Sequence, residues 1–469
     1  MTTTDPLTRF GTKKTPQGQK VPGTDQVKNN AGGYVFQITP IAQLRRFLVM
    51  GTAGGTFYVS ENELTAENAN MVVEFTKTAF LHKQLVDEIV EISLAGRALK
   101  QNPTLFALAI ACQMGETESK QYARQQINKV VRTGTHLFQF VGYLEQFGGW
   151  GRGLRTAVGK WYTEKDADKL AYQLVKYRQR EGWTHRDVLR KTHPKLKLSP
   201  EMQELDALVG LEKIEPTDEL ILAVGELQRQ AATIDWAVKG EVSEENDALT
   251  PRMIRGYIRA NNPKKNVVKT LQKVPGLPWE ALPDSAMNDV AVWDQLLDNG
   301  MPINALMRQL SRLTQLGMVP QIGGRTDDVV AQLLNPEAVE KSRLHPFSAL
   351  VALHTYRSGR GFRSTWTPSA KIIDALDELF YLAFGNVKPT GKRTMDCLDV
   401  SGSMGANAAG NLPMTAREAA AAMLMVSVRT EPNQMTMGFT DGSRPVPRSG
   451  GLGYGGYYDN RPRYLGTSS

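Results

Sequence analysis

From Ile38 to about Phe384 the chain reads as one amphipathic helical segment after another, never alternating with strands, which leaves little room for any fold but a helical array. Ile41, Leu44, Phe47 and Leu48 fall on one helical face, and Leu105, Leu108, Ala109 and Cys112 repeat that spacing. Breaks recur at Gly51 to Gly55, Gln101 to Pro103, Gly148 to Gly151, Asn261 to Pro263, Pro275 to Pro278 and Gly300 to Pro302. Helices joined by such short turns predict a mostly α fold, an α-solenoid of HEAT type, whose degenerate repeats need leave no exact sequence period.

After Gly385 the texture changes. Thr394 to Val400 reads as a strand, Ser401 to Pro413 as a loop of small residues, Thr415 to Glu431 as a helix and Gln434 to Thr440 as a second strand. That order opens an α/β doubly wound domain. The expected organisation is a flexible arm over 1–33, the helical array over 34–388, a partial α/β domain over 389–440 and a disordered Gly, Tyr and Arg tail over 441–469.

Hydrophobic residues make up 41% of the 469 and charged residues 22%, values of a folded chain. The two cysteines, Cys112 and Cys397, lie far apart and match no metal-ligand spacing, so a reducing compartment is expected. The N-terminus is polar, and the longest apolar run, Ala419 to Val428, is about half of the roughly 20 residues a membrane span requires. A soluble, cytoplasmic protein without membrane association is the expectation.

The net charge of +8 is unevenly spread: between Gln121 and Pro200 sixteen Lys and Arg face six Asp and Glu, leaving the rest slightly acidic. Such a local field suits a polyanion, because clustered cations release counterions from phosphates, although a solvated surface has the same composition. On a helical wheel over Trp150 to Trp161, Leu154, Val158 and Trp161 gather on one side and Arg152, Arg155 and Lys160 on the other. Thr156 and Gly159 sit between the cations, small enough to let a sugar-phosphate backbone approach. Lys169, Lys176 and Arg180 are expected to share the next helix's face, opposite Leu170, Leu174 and Tyr177. A third helix, capped by Thr184 with Asp187, carries His185, Arg186, Arg190 and His193 before Pro194. Together with Trp183, the three faces point to nucleic acid. His136 and His345, among apolar neighbours, read as core or cap residues.

Asp399, Ser401 and Ser403 form an Asp-x-Ser-x-Ser pattern directly after the apolar strand. At the carboxyl edge of a parallel sheet, one carboxylate and two hydroxyls would converge as hard oxygen ligands suited to Mg²⁺. The nearby Thr390 to Arg393 does not meet the phosphate-loop frame, since Gly385 lies one residue too far from Gly391 and Arg393 takes the Ser/Thr place.

The stretches Gln43 to Val59, Leu105 to Gln113, Arg132 to Phe140, Trp150 to Tyr162, Lys176 to Arg190, Arg343 to Gly361 and Pro389 to Met404 together resemble the TROVE-domain family of the Ro autoantigen. The resemblance implies a ring of HEAT-like repeats closed by a von Willebrand factor A domain. It also implies binding of small noncoding Y or Y-like RNA on an outer basic surface. Single-stranded ends of misfolded RNA would enter the hole, and an exoribonuclease such as polynucleotide phosphorylase would be a partner. Carried over, the RNA surface falls on Arg152, Arg155, Lys160, Lys169, Lys176, Arg180, His185, Arg186 and Arg190, and the metal site on Asp399, Ser401 and Ser403. The family's further metal ligands, a Thr and an Asp from later loops, have no match here, since Thr415 and Asp441 occupy other positions. Weak Mg²⁺ at an incomplete site is therefore expected. A truncated, split or phage-type A domain is implied, and Asp396 puts a costly carboxylate in its first strand.

No catalytic constellation stands out in the helical part, so a non-enzymatic RNA scaffold in RNA quality control is expected. The rival from another class is a protein-protein adaptor with a peptide-binding solenoid, its DVSGSM loop gripping a partner's carboxylate through Mg²⁺.

Overall fold

The computed structural model describes residues 18–28, 32–51, 66–98, 100–212, 215–361, 364–408, 414–439 and 463–464. The chain packs as two compact units, Met1–Tyr257 and Ile258–Ser469. In the first, a short hairpin of β1 (Val27–Lys28) and β2 (Tyr34–Val35) precedes α1 (Pro40–Met50), α2 (Ala66–Phe75), α3 (Ala79–Ala95) and α4 (Asn102–Gln113). Then come α5 (Thr117–Gln125), α6 (Ile127–Val130), α7 (Gly134–Phe147), α8 (Arg152–Thr163) and α9 (Ala167–Lys176). A second hairpin of β3 (Gln179–Arg180) and β4 (Trp183–Thr184) leads to α10 (His185–Thr192), α11 (Pro200–Glu212) and α12 (Asp218–Lys239). The chain passes through α13 (Arg252–Ala260) into the second unit.

The helices start and stop where local chemistry requires. Thr39, Thr78, Thr133 and Thr217 accept a backbone N–H at the starts of α1, α3, α7 and α12. Gly51, Gly96 and Gly240 end α1, α3 and α12 in the left-handed conformation that glycine adopts without strain. The expected face of α1 is right, with Leu44, Phe47 and Leu48 buried. For α4 the one-sided reading is corrected: every residue from Pro103 to Cys112 is buried, and the helix packs against α1, α2, α3, α5 and α7. A helix apolar on all sides belongs at the centre of a core, and α4 sits there. The β1–β2 hairpin falls partly within the stretch expected to be a flexible arm; residues 1–17 lie outside the described residues.

The second unit holds α14 (Val267–Lys273), α15 (Val290–Asp298), α16 (Ile303–Gln315), α17 (Thr326–Leu333), α18 (Pro336–Ser342), α19 (Pro346–Arg357) and α20 (Ala370–Leu382). Next come β5 (Thr394–Asp399), α21 (Ala416–Thr430) and β6 (Gln434–Phe439). β5 and β6 are parallel, registered from Thr394↔Gln434 to Asp399↔Phe439, and α21 is the crossover helix, packed on both strands and on α19. Thr415 and Glu418 close a capping box at the start of α21. A strand β7 (Arg463–Tyr464) pairs antiparallel with β6; the rest of 441–469, expected to be a disordered tail, lies outside the described residues. The Asp396 carboxylate accepts a hydrogen bond from Gln434 Nε2 at 2.9 Å across the parallel pair, which meets the cost expected of a carboxylate there. Among the described residues no helix is long and apolar enough to cross a membrane.

Candidate nucleic-acid interface

α8 begins straight after the Gly148–Gly151 break and buries Leu154, Val158, Trp161 and Tyr162. Trp161 Nε1 donates to the Val131 carbonyl at 2.8 Å, which fixes the helix's roll and turns Arg152, Arg155, Thr156 and Lys160 to solvent. Gly159 is a correction: it is buried against α10's end, where an added Cβ would lie 3.3 Å from Pro194 Cβ and 3.7 Å from Thr192 Cβ. Its small size serves helix packing, and it is not on the face of the cations.

On α9, Asp166 caps the first turn and buried Leu170 and Leu174 set the inner face, leaving Lys169 exposed. The expected shared face of Lys169, Lys176 and Arg180 does not form. The helix ends at Lys176, and Arg180 lies on β3, in a hairpin turned by Glu181 (φ 53) and Gly182 (φ 77). Two successive positive φ values are what a tight hairpin turn needs, and Gly182 supplies one freely. Lys176 is half-buried, its ammonium 3.0 Å from the Tyr172 hydroxyl and close to the Tyr172 and Tyr177 rings.

α10 has the expected Thr184–Asp187 capping box and exposes Arg186 and Arg190 four residues apart on one side. His185 is the second correction. It is 4% exposed, with its ring 4.7 Å from Phe138 and stacked on Trp161 at 5.7 Å, and its Nδ1 lies 3.0 Å from the Tyr162 hydroxyl. Burial pushes its pKa down to about 3, so it is a neutral core residue and offers no charge to a polyanion. His136 and His345 fit their expected roles. Burial takes His136 down to about 4, and His345 Nδ1 accepts from Phe347 N at the start of α19.

What the acids of this basic window do sets its electrostatics. Glu145 pairs with Lys191 at 2.9 Å, Glu164 with Lys160 at 3.7 Å, Asp166 with Lys169 at 2.6 Å and Asp168 with Arg229 at 2.6 Å, the Asp187 carboxylate is spent on the α10 cap, and Glu181 is exposed in the β3–β4 turn without an ion pair among the described residues. Lys165 is turned inward over the Trp161 ring at 3.9 Å, and burial lowers its pKa to about 8. Arg152, Arg155, Arg186 and Arg190 remain exposed with no acidic partner among the described residues. α8 and α10 pack on each other, so these four guanidiniums come from adjoining helices. Beside them Lys191 lies 5.6 Å from the Trp150 ring and 5.7 Å from the Trp183 ring, a half-buried aromatic patch with its cation neutralised by Glu145. Sequence reading missed the exposed Lys195 and Lys197 just beyond α10 as candidates, although Pro194 marked the helix end and freed them from its face.

At the end of β5 the expected oxygen cluster is present. Asp399 Oδ1 accepts from Ser401 N at 2.9 Å, and the Ser401 and Ser403 hydroxyls are 3.0 Å apart. One carboxylate and two hydroxyls fit half of an octahedral Mg²⁺ shell, the remainder falling to water or further ligands. Thr415 does not join them, because its hydroxyl is committed to Glu418 at the α21 cap. Asp441 lies outside the described residues.

The TROVE domain model matches residues 27–358, well over half of the chain. The chain belongs to the TROVE-domain family. A second model, the Ro60 vWA domain, matches residues 393–451 and so takes in β5, the Asp399 loop, α21 and β6. Among curated proteins the chain is 34% identical over 428 residues to the RNA-binding protein RO60 of Deinococcus radiodurans, covering 90% of this chain and 74% of that protein. It is 32% identical over 484 residues to the RNA-binding protein RO60 of Caenorhabditis elegans, covering 93% and 74%. The crystal structure of the Deinococcus radiodurans RO (RSR) protein superposes with a TM-score of 0.69 at 31% identity, covering 86% of this chain and 76% of that one. The mostly helical TROVE fold followed by an A-type α/β segment is thereby shown.

Proposed function

We propose that this TROVE-family chain is a non-enzymatic, cytoplasmic RNA-binding scaffold that takes small noncoding RNA of the Y or Y-like kind on the exposed arginines of α8 and α10. The observation that carries the reading is the pairing pattern: five of the six acids of the basic window are spent on lysines, Arg229 and a cap, while Arg152, Arg155, Arg186 and Arg190 stay exposed with no acidic partner among the described residues. Guanidiniums on rigid helices suit phosphate oxygens, which accept their forked N–H groups in pairs. Relatives named RNA-binding proteins support the same class of ligand. Within this reading the segment 34–388 is the RNA-binding part, loose single-stranded ends of misfolded RNA are a second ligand, and an exoribonuclease such as polynucleotide phosphorylase is a partner reached through the RNA. Lys160 and Lys169, being ion-paired, add less than the four arginines, and Arg180 contributes from the hairpin. Bound Mg²⁺ at Asp399, Ser401 and Ser403 would supply a Lewis-acidic contact for a partner's oxygen.

The test is purification at low salt followed by ultraviolet absorbance and sequencing of any nucleic acid carried along. Co-purified small structured RNA, rebinding to the stripped protein, is the expected result. Protein that is free of nucleic acid and fails to bind structured RNA at low salt overturns the reading and leaves the adaptor.

A further inference from the structure

The two ends of α12 have different surroundings. Its later half is a packing element, with Ala232, Thr233 and Trp236 buried and the helix lying on α9 and α10. In its first turns Leu220 is buried, but Ile221 is 53% exposed and Leu222 73%. α11 packs on α12, and none of its described side chains is buried. Met202, Leu205 and Val209 recur on α11 at helical spacing and are only half-buried, and Leu208 is exposed. The α11–α12 hairpin thus carries apolar side chains that no described residue covers.

Gly225 adds an independent observation. It follows Ile221 by four residues and Leu222 by three, which puts it on the same side of α12, and a Cβ built there meets nothing within 4 Å. Glycine weakens a helix interior, and the usual compensation, close approach of a neighbour, is missing among the described residues. What it leaves is a notch one turn along from two exposed apolar side chains, the shape that receives a ridge from another helix.

The charge of the hairpin selects the occupant. From Glu201 to Gln228 the sequence holds eight Asp and Glu against the single Lys213. Glu201, Asp218 and Glu219 lie in the first turns of α11 and α12, where a carboxylate suits the helix dipole. Glu204, Asp206 and Glu215 have no such reason, and all six are exposed without a cationic partner among the described residues. Such a surface repels RNA phosphate, and an isologous contact between two copies would set acid against acid. We infer that the α11–α12 hairpin docks another protein that presents a basic amphipathic helix. Its apolar ridge would lie on Ile221, Leu222 and the Gly225 notch, with its Lys and Arg toward the carboxylates.

The experiment uses the full chain freed of nucleic acid and a fluorescent helical peptide with Leu along one face and Lys and Arg on the other. The control peptide has every cation replaced by Glu. Anisotropy should show micromolar binding of the basic peptide, weakened by salt, and none of the control. Leu222→Ser, at an exposed position, should keep the wild-type Tm and lose about tenfold in peptide affinity. Gly225→Gln fills the notch with a better helix former, so affinity should fall similarly while the Tm holds or rises. Affinity for a structured hairpin RNA should stay at the wild-type value in both variants. No binding of the basic peptide, equal binding of the acidic control, or wild-type peptide affinity in both variants would overturn the inference. So would a dimer in sedimentation that Leu222→Ser dissociates, which gives the surface to a second copy, or RNA affinity lost in both variants, which gives it to RNA.

Discussion

The Tyr162 hydroxyl and His185 Nδ1 meet at 3.0 Å in the core between α8 and α10, so this histidine of the basic window is a packing residue. Truncating it to Ala removes a ring wedged among Phe138, Trp161 and Tyr162 and should cost about 2–4 kcal/mol of stability, read by denaturant unfolding. Tyr162→Phe, which deletes only the hydroxyl, should cost about 1 kcal/mol. Unfolding free energies equal to wild type in both variants would contradict this placement.

The same burial gives a pH dependence. His185 and His136 have folded pKa values pushed down to about 3 and about 4, below the ordinary 6.5, so the unfolded chain binds their protons first. Stability should be full above about pH 6.5 and fall as pH drops toward those folded values, by up to roughly 1.4 kcal/mol per pH unit for each histidine. His185→Phe should flatten that decline. A variant as acid-sensitive as wild type would rule out the His185 contribution.

Gly159 separates two accounts of α8. If it lay under an RNA backbone, adding bulk would harm binding and spare the fold. Its place against Pro194 and Thr192 instead makes Gly159→Val a folding defect of about 1–3 kcal/mol, visible as a lowered Tm without RNA. An unchanged Tm with weakened RNA binding would restore the first account.

Much of this was legible in the sequence because it depends on local chemistry. The Thr184–Asp187 box, the Leu154, Val158 and Trp161 stripe and the strand, loop, helix, strand order at Thr394–Phe439 are set by neighbours in the chain. What failed depended on partners far away. His185 reads as a surface cation until Phe138 and Trp161 are brought to it, and Gly159 reads as an opening until Pro194 fills it. The face assigned to Arg180 assumed a helix running past Lys176, where the positive φ at Glu181 and Gly182 ends any such run.

The two thiols should differ sharply. Cys112 is buried on α4 and its pKa is pushed up to about 12, whereas Cys397 is exposed on β5. A thiol reagent should label Cys397 promptly in the native protein and Cys112 only on unfolding. Fast labelling of Cys112 would show that α4 is not the closed centre of its unit.

Three oxygens at Asp399, Ser401 and Ser403 should hold Mg²⁺ weakly by themselves. Calorimetric titration should give no stoichiometric site at micromolar affinity or tighter, and chelation should leave RNA binding intact apart from the RNA's own folding. A tight site, abolished by Asp399→Asn, would mean that further ligands complete the shell.

The central claim is that Arg152, Arg155, Arg186 and Arg190 contact phosphate, and the salt dependence of RNA affinity tests it most directly. Replacing all four with Gln should change stability little, since each is exposed and none has an acidic partner among the described residues. At about 0.7–0.9 per neutralised phosphate, the slope of log affinity against log salt should shrink by roughly 3, with affinity lost for every structured RNA tested. An unchanged slope in a folded quadruple variant would place the RNA elsewhere on the protein.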